Sequence, residues 1–92
     1  MNTVLKFALT ISDHVDVEMP RGAQLLSVGS VKTKPCVFAL VDESAPPVTR
    51  RLRFTATSEP IPDHVPAWKF VGSVLVGSND CHLWDLGEVG AS

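Results

Sequence analysis

The fold is decided by the stretch Pro35-Cys36-Val37-Phe38-Ala39-Leu40-Val41, in which six consecutive apolar residues follow a proline. This run is short, strong in β-formers, and apolar on both faces. A lysine-rich turn at 32–34 precedes it, and a stretch at 42–47 that ends in two prolines follows it. A short apolar run between turn residues is typical of a buried strand rather than a helix. We therefore predict a central strand at 36–41, with neighbouring stretches paired on both sides of it.

The neighbouring stretches show the residue alternation of half-buried strands. With the central run, the predicted strands are 4–11, 15–19, 24–31, 36–41, 48–57, 68–76 and 81–86. The turn at 12–14 predicts a hairpin between the first two strands, and the turn at 77–80 predicts another between the last two. In the sixth strand, alternation places four apolar side chains on one face: Trp68, Phe70, Val74 and Val76.

Short strands joined by turn residues predict an all-β fold, because no segment carries a sustained apolar stripe at helical spacing. We predict one compact domain over 1–92 with about seven antiparallel strands, arranged as a sandwich or a partly open barrel. A chain of 92 residues suffices for one hydrophobic core and not for two. Residues 87–92 are predicted to be a flexible tail. The longest loop is 58–67, where three prolines each remove a backbone donor.

The charge and hydropathy of the chain argue against several classes of partner. The formal net charge is −2, which creates no field that would attract nucleic acid. No stretch approaches the ~20 apolar residues of a membrane span, and 1–14 lacks the apolar core of a signal peptide. We predict a cytoplasmic protein with no membrane partner, in which Cys36 and Cys81 are reduced. A domain this small is marginally stable, which favours a homo-oligomer.

The residues form no recognisable catalytic or metal site. Zinc sites usually present paired ligands such as C-x2-C, whereas Cys81 and His82 are neighbours on a predicted strand and point to opposite faces. The sequence contains no G-x-S-x-G elbow and no glycine-rich loop that opens a helix. Asp63 and His64 are adjacent, but sequence neighbours rarely form the acid–imidazole hydrogen bond of a triad. We predict no catalytic residues, no metal and no cofactor, and hence no enzyme.

The densest charge cluster is 50–53, where Arg51 and Arg53 share one face of the predicted fifth strand with three threonines. Two arginines on one face could bind a phosphate or a carboxylate bidentately. The alternative is a solvated outer face, on which arginine also discourages strand-edge pairing. The sequence favours the solvated face, and these two arginines are the candidates if a ligand is anionic.

Four further residues are candidates for contact with a partner. Trp68 directly follows the proline-rich loop, and a tryptophan there is more often a core residue than an interface anchor. Glu59 and Asp63 lie on the loop itself. Trp84 lies on an apolar edge near the C-terminus that could be a dimer surface.

Four stretches of the chain resemble a family of small phage and prophage proteins. They are Leu5-Lys6-Phe7-Ala8-Leu9, Met19-Pro20-Arg21-Gly22-Ala23, Val37-Phe38-Ala39-Leu40-Val41-Asp42 and Trp68-Lys69-Phe70-Val71-Gly72. The shared pattern is K-[YF]-x-L, M-P-x-G-A, a W-A-L-V-D-like run and [YF]-[IV]-G. Phe38 stands where the pattern expects tryptophan, and Ser78-Asn79-Asp80 stands where it expects a second glycine. The resemblance implies a phage origin and a compact β fold, and it supplies no catalytic residues.

Three functions are compatible with this interpretation. The first is a non-enzymatic inhibitor that binds a host protein, such as a defence protein, in the host cytoplasm through Glu59, Asp63 and Trp68. This hypothesis is an analogy with the implied origin. The second is a protein that sequesters a small anionic, nucleotide-like ligand with Arg51 and Arg53 at a subunit interface. The third is a structural or virion-associated oligomer.

Overall fold

The computed structural model describes residues 2–12, 14–32, 34–62 and 68–89. Within these ranges the chain forms β1 (Asn2–Ala8), β2 (His14–Pro20), β3 (Gln24–Val31), β4 (Lys34–Asp42), β5 (Pro47–Ala56), β6 (Lys69–Val76) and β7 (Asn79–Val89). The strands make two antiparallel sheets, one in the order β1-β4-β3 and one in the order β2-β5-β7-β6. The sheets pack face to face as a sandwich, which confirms the predicted all-β fold.

Strand β4 is the centre of the three-stranded sheet, as the apolar run at 36–41 predicts. It pairs with β1 on one side and with β3 on the other. Val37 and Ala39 have no exposed surface, and Val41 has almost none. Successive side chains on a strand point to opposite faces, so Phe38 and Leu40 point away from the sandwich interior.

The core lies between the inner faces of the two sheets. Leu52 of β5 and Leu83 of β7 are fully buried, and they pack with Val37 of the other sheet. Each fully buried aliphatic side chain of this size contributes about 1.5–3 kcal/mol. A second buried cluster surrounds Met19 and Ala39. Because the inner faces supply the core, the outer faces are available for other roles.

The predicted hairpin between the first two strands is wrong. Strand β1 pairs with β4, and β2 pairs with β5 in the other sheet. The connecting segment crosses between the sheets because Leu9 is buried in the core, where its N–H donates to the carbonyl of Pro35 at 3.0 Å. The predicted hairpin at 77–80 is confirmed, since Val76 pairs with Asn79 and Gly77 has the positive φ that a tight turn requires.

The predicted alternation in the sixth strand is interrupted by a β-bulge. The register of β6 against β7 shifts between Phe70 and Gly72. As a result Val74 faces the core, whereas Phe70 lies on the outer face and is 58% exposed. At Gly72 a Cβ atom would lie 3.0 Å from Cγ1 of Val28, so β3 and β6 approach closely at this point. A bulge of this kind re-aims the neighbouring side chain.

Strand β7 continues through Val89, so the predicted flexible tail is wrong for 87–89. Val89 pairs with Thr49, and the N–H of Gly87 donates to Oδ1 of Asp85 at 2.9 Å. Residues 90–92 lie outside the described part of the chain, as does 63–67 in the proline-rich loop. Within the described ranges, no helix is long and apolar enough to cross a membrane.

Candidate functional site

The register of the four-stranded sheet aligns one residue from each strand in a row across its outer face. His14 of β2 pairs with Arg53 of β5, Arg53 pairs with Trp84 of β7, and Trp84 pairs with Phe70 of β6. Residues directly opposite each other on adjacent strands point to the same face. The neighbour Leu83 points into the core, so this row points outward.

Three aromatic rings and one guanidinium group meet on this outer face. The ring centroids of Phe70 and Trp84 are 5.3 Å apart in an edge-on arrangement, and those of Trp68 and Trp84 are 6.2 Å apart. The guanidinium carbon of Arg53 lies 5.5 Å from the ring centroid of Trp68. These spacings are within the range of aromatic pairing and of cation–π attraction. We call Arg53, Trp68, Phe70 and Trp84 the aromatic face.

Hydrogen bonds hold the aromatic face in place from below and from the side. Nε1 of Trp84 donates to Oγ1 of the buried Thr55 at 2.9 Å. Arg53 donates to one carboxylate oxygen of Glu59 at 2.9 Å, and the other oxygen accepts the N–H of Ala56 at 3.0 Å. Nε of Arg53 is buried without a hydrogen-bond partner among the described residues, so the stacking with Trp68 offsets a desolvation cost. The surface is therefore ordered before any partner arrives.

Arg51 lies one row away on the same outer face, as alternation predicts. It forms a bidentate pair with Asp16 of β2, with N–O distances of 2.9 and 3.1 Å. The hydrogen bonds from Arg51 lower the pKa of the Asp16 carboxyl, and they raise the pKa of Arg51 itself. Both predicted anion-binding arginines thus already contact a carboxylate, Asp16 for Arg51 and Glu59 for Arg53. An anionic ligand at this place would have to displace those carboxylates.

Sequence reasoning missed a buried ion pair between Arg50 and Asp85. The two groups form a bidentate contact with N–O distances of 2.9 and 2.7 Å, and Arg50 also donates to the carbonyl of Ala23 at 2.8 Å. Burial by itself would raise the pKa of Asp85. The hydrogen bonds from Arg50 and Gly87 lower the pKa by more than burial raises it, so the pKa lies below its ordinary value. The signal was present in the sequence, because alternation places Asp85 on the same side as Leu83. A carboxylate on a core-facing position requires a counterion.

A polar cleft of about 370 Å³ opens beside this ion pair. Its lining includes Lys69, Phe70, Arg50 and Asp85. Phe70 belongs both to the cleft and to the aromatic face, so the two surfaces are continuous. Lys69 is exposed and pairs with Asp85, so it lies on the cleft side of β6, opposite to the outward ring of Phe70.

The predicted site residues separate into one cluster and two outliers. Glu59, Trp68 and Trp84 meet at Arg53, whereas Arg51 belongs to the next row and Asp63 lies outside the described residues. Trp68 and Trp84 are half-buried on the outer face, so the expectation that Trp68 is a core residue is wrong. The exposure of Phe70 was not predicted, since it results from the bulge.

The cysteines and histidines give no sign of a metal centre in the described ranges, where no three potential ligands converge. Cys81 packs against the core, while His82 on the opposite face contacts Thr57 at 2.9 Å and Ser73 at 2.7 Å. This confirms that Cys81 and His82 point to opposite faces. Both cysteines are free thiols, and Cys36 is buried.

The chain belongs to a family of domains of unknown function, DUF7352, whose family model matches residues 1–90. No curated protein and no solved structure matches the chain.

Proposed function

We propose that this protein is a non-enzymatic binding protein that docks on another protein through the aromatic face. The observation that carries the proposal is the exposure of Phe70, which is 58% although its ring contacts Trp84. Burying an exposed large apolar side chain in an interface gains about 1.5–3 kcal/mol. Tryptophan and arginine are also the residue types most enriched among those that dominate binding energy.

The order of the aromatic face supports its role in docking. Trp84 is tied to Thr55, and Arg53 is tied to Glu59 and stacked on Trp68. Fixing side chains on binding costs about 0.5–1.5 kcal/mol for each flexible one. A surface whose side chains are already fixed avoids most of this cost.

The chemistry of the surface favours a protein partner over a nucleotide or a nucleic acid. The net charge is −2, and the outward arginines Arg51 and Arg53 both pair with carboxylates. A partner that suits this surface presents an apolar or aromatic side chain to Phe70 and Trp84. The resemblance to small phage proteins supports a host protein as that partner, with inhibition of a defence protein in the host cytoplasm as the functional consequence.

The test is a binding titration with matched variants. A partner captured from host lysate is purified and titrated against wild type, Phe70→Ala and Val4→Ala. Phe70→Ala should weaken binding roughly 30-fold, which corresponds to about 2 kcal/mol. Val4 is similarly exposed but lies on β1 of the other sheet, so its replacement should leave the affinity unchanged.

Both replaced side chains are more than half exposed, so neither change should lower the melting temperature substantially. Equal affinities for wild type and Phe70→Ala would show that the aromatic face is not the docking surface.

A further inference from the structure

The outer face of the three-stranded sheet contains a cleft that is apolar inside and basic around its margin. The cleft has a volume of about 310 Å³, which is at the lower end of the range for small-molecule sites. Apolar side chains from all three strands and several lysines line it, among them Ala8, Val31, Cys36, Lys6, Lys32 and Lys34. The lining contains no acidic residue. We call this surface the lysine cleft.

The lysine cleft exists because small residues meet in one row of the sheet. Cys36 of β4 pairs with Ala8 on β1 and with Gly29 on β3. The neighbour Val37 is fully buried in the core, so this row points outward. A Cβ at Gly29 would lie 3.4 Å from Cε2 of Phe38, so the ring of Phe38 lies against the glycine. The space that remains open is on the β1 side of the row, above Ala8 and Cys36.

Two lysines of the cleft carry charges that no carboxylate offsets. In the part of the chain that the structure describes, neither Lys6 nor Lys34 forms an ion pair. Lys6 pairs with Phe38 and Lys34 pairs with Val31, so the two lysines lie on either side of the row that contains Cys36. Lysine side chains extend over apolar surface and keep the ammonium group in water. The apolar interior is thus flanked by two unpaired cations.

We infer that the lysine cleft binds a small amphiphilic anion, an unbranched apolar chain that ends in a carboxylate. The chain displaces water from Ala8 and Cys36, and the carboxylate lies between the ammonium groups of Lys6 and Lys34. Both parts of the ligand are needed, because exposed ion pairs contribute little and an open cleft buries little apolar area. The cleft and the aromatic face lie on different sheets, so this site is separate from the proposed docking surface.

A free amphiphile suits the lysine cleft better than the surface of an anionic membrane does. Cys36 lies at the bottom of the cleft and is 3% exposed, so a single chain can enter where a flat surface cannot. The net charge of −2 also opposes adsorption of the whole chain to an anionic surface. The ligand is therefore a dissolved carboxylate rather than a lipid within a bilayer.

The test is a set of NMR titrations of the full chain with octanoate, hexanoate, acetate and 1-hexanol, followed through the backbone amide signals. Octanoate should saturate with a Kd of about 1 mM, and its shifts should centre on Ala8, Val31 and Cys36. Each methylene added between hexanoate and octanoate should tighten binding up to about fourfold. Acetate lacks the chain and 1-hexanol lacks the charge. Acetate should bind about tenfold more weakly than octanoate, and 1-hexanol about tenfold more weakly than hexanoate.

Two double variants with the same change in net charge separate the site from general electrostatics. Lys6→Gln with Lys34→Gln should weaken octanoate binding about tenfold, because it removes both cations of the cleft. Arg21→Gln with Lys69→Gln is the matched control, since both residues are exposed and lie outside this cleft. The control should bind octanoate as wild type does.

A third variant tests the apolar interior and leaves the lysines in place. Ala8→Leu fills the cleft from an exposed position, so it should fold as wild type does and should no longer bind octanoate. Octanoate shifts that do not saturate, or that spread over both sheets, would overturn the inference. So would equal losses in the two double variants, equal affinities for octanoate and acetate or for hexanoate and 1-hexanol, or wild-type binding by Ala8→Leu.

Discussion

Asp85 carries a carboxylate into the interior of the sandwich, two positions after the fully buried Leu83. Its partner Arg50 lies on the core side of β5. The side chain of Asp85 is 8% exposed and that of Arg50 is 13% exposed. Arg50 also contacts the carbonyl of Ala23, while Glu88 accepts the N–H of Gly22 at 2.7 Å. Removing one partner of a buried pair leaves an uncompensated charge. These contacts therefore tie β5, β7 and the turn at 21–23 together.

Asp85→Asn should lower the free energy of unfolding by about 3 kcal/mol, because it leaves the buried guanidinium of Arg50 with only the more distant carboxylate of Glu88, 3.8 Å away. Urea denaturation at neutral pH measures the change. Asp16→Asn is the matched control: it breaks a bidentate pair with Arg51 that has the same geometry but is exposed to solvent. Exposed pairs contribute little, so this control should unfold close to wild type.

Asp85 also makes the stability of the protein depend on pH. The pKa of Asp85 is lower in the folded chain than its ordinary value, so the folded state binds this proton less readily than the unfolded state. The stability it contributes is complete above about pH 4 and is lost as the pH falls further. The difference between wild type and Asp85→Asn should narrow accordingly in acid. Equal stabilities of Asp85→Asn and Asp16→Asn at neutral pH would contradict the structural role of the buried pair.

Among the elements, β6 links the packing of the core to the candidate site. The bulge between Phe70 and Gly72 turns Phe70 outward, and Gly72 allows β3 to approach. The glycine and the exposed ring are thus parts of one local arrangement. Without the bulge, strict alternation would not place Phe70 and Val74 on opposite faces.

Gly72→Ala should destabilise the protein by about 1–2 kcal/mol, because the new Cβ would lie 3.0 Å from Cγ1 of Val28. Thermal or urea unfolding measures the loss. Combining it with Val28→Ala removes the clash, so the double variant should be more stable than the sum of the two single losses implies. Purely additive losses would mean that this contact does not limit the approach of β3 and β6.

The existence of the strands could be predicted because alternation is a local property of the sequence. Their pairing could not, because it depends on distant contacts. Leu9 continues the alternation of the first strand, yet it is buried between the sheets and carries the chain across. The stretch 87–89 has no strand signal of its own, and it is ordered by pairing with β5.

The candidate site was predictable in part, because residue type is also a local property of the sequence. Arg53, Glu59, Trp68 and Trp84 could be chosen by residue type, and the fold brings them together. The exposure of Phe70 depends on a bulge that alternation cannot reveal.

For the whole molecule, the aromatic face lies on the outer surface of only one of the two sheets. The outer surface of the other sheet, formed by β1, β4 and β3, is on the opposite side of the sandwich. A substitution there, such as Val4→Ala, should therefore not alter docking through the aromatic face.

The most direct measurement is the native mass of the complex with the captured partner. Wild type and Val4→Ala should each give a mass that includes the partner. Phe70→Ala should give the mass of the chain without the partner. A Phe70→Ala complex that keeps the partner at the wild-type stoichiometry and affinity would contradict docking through the aromatic face.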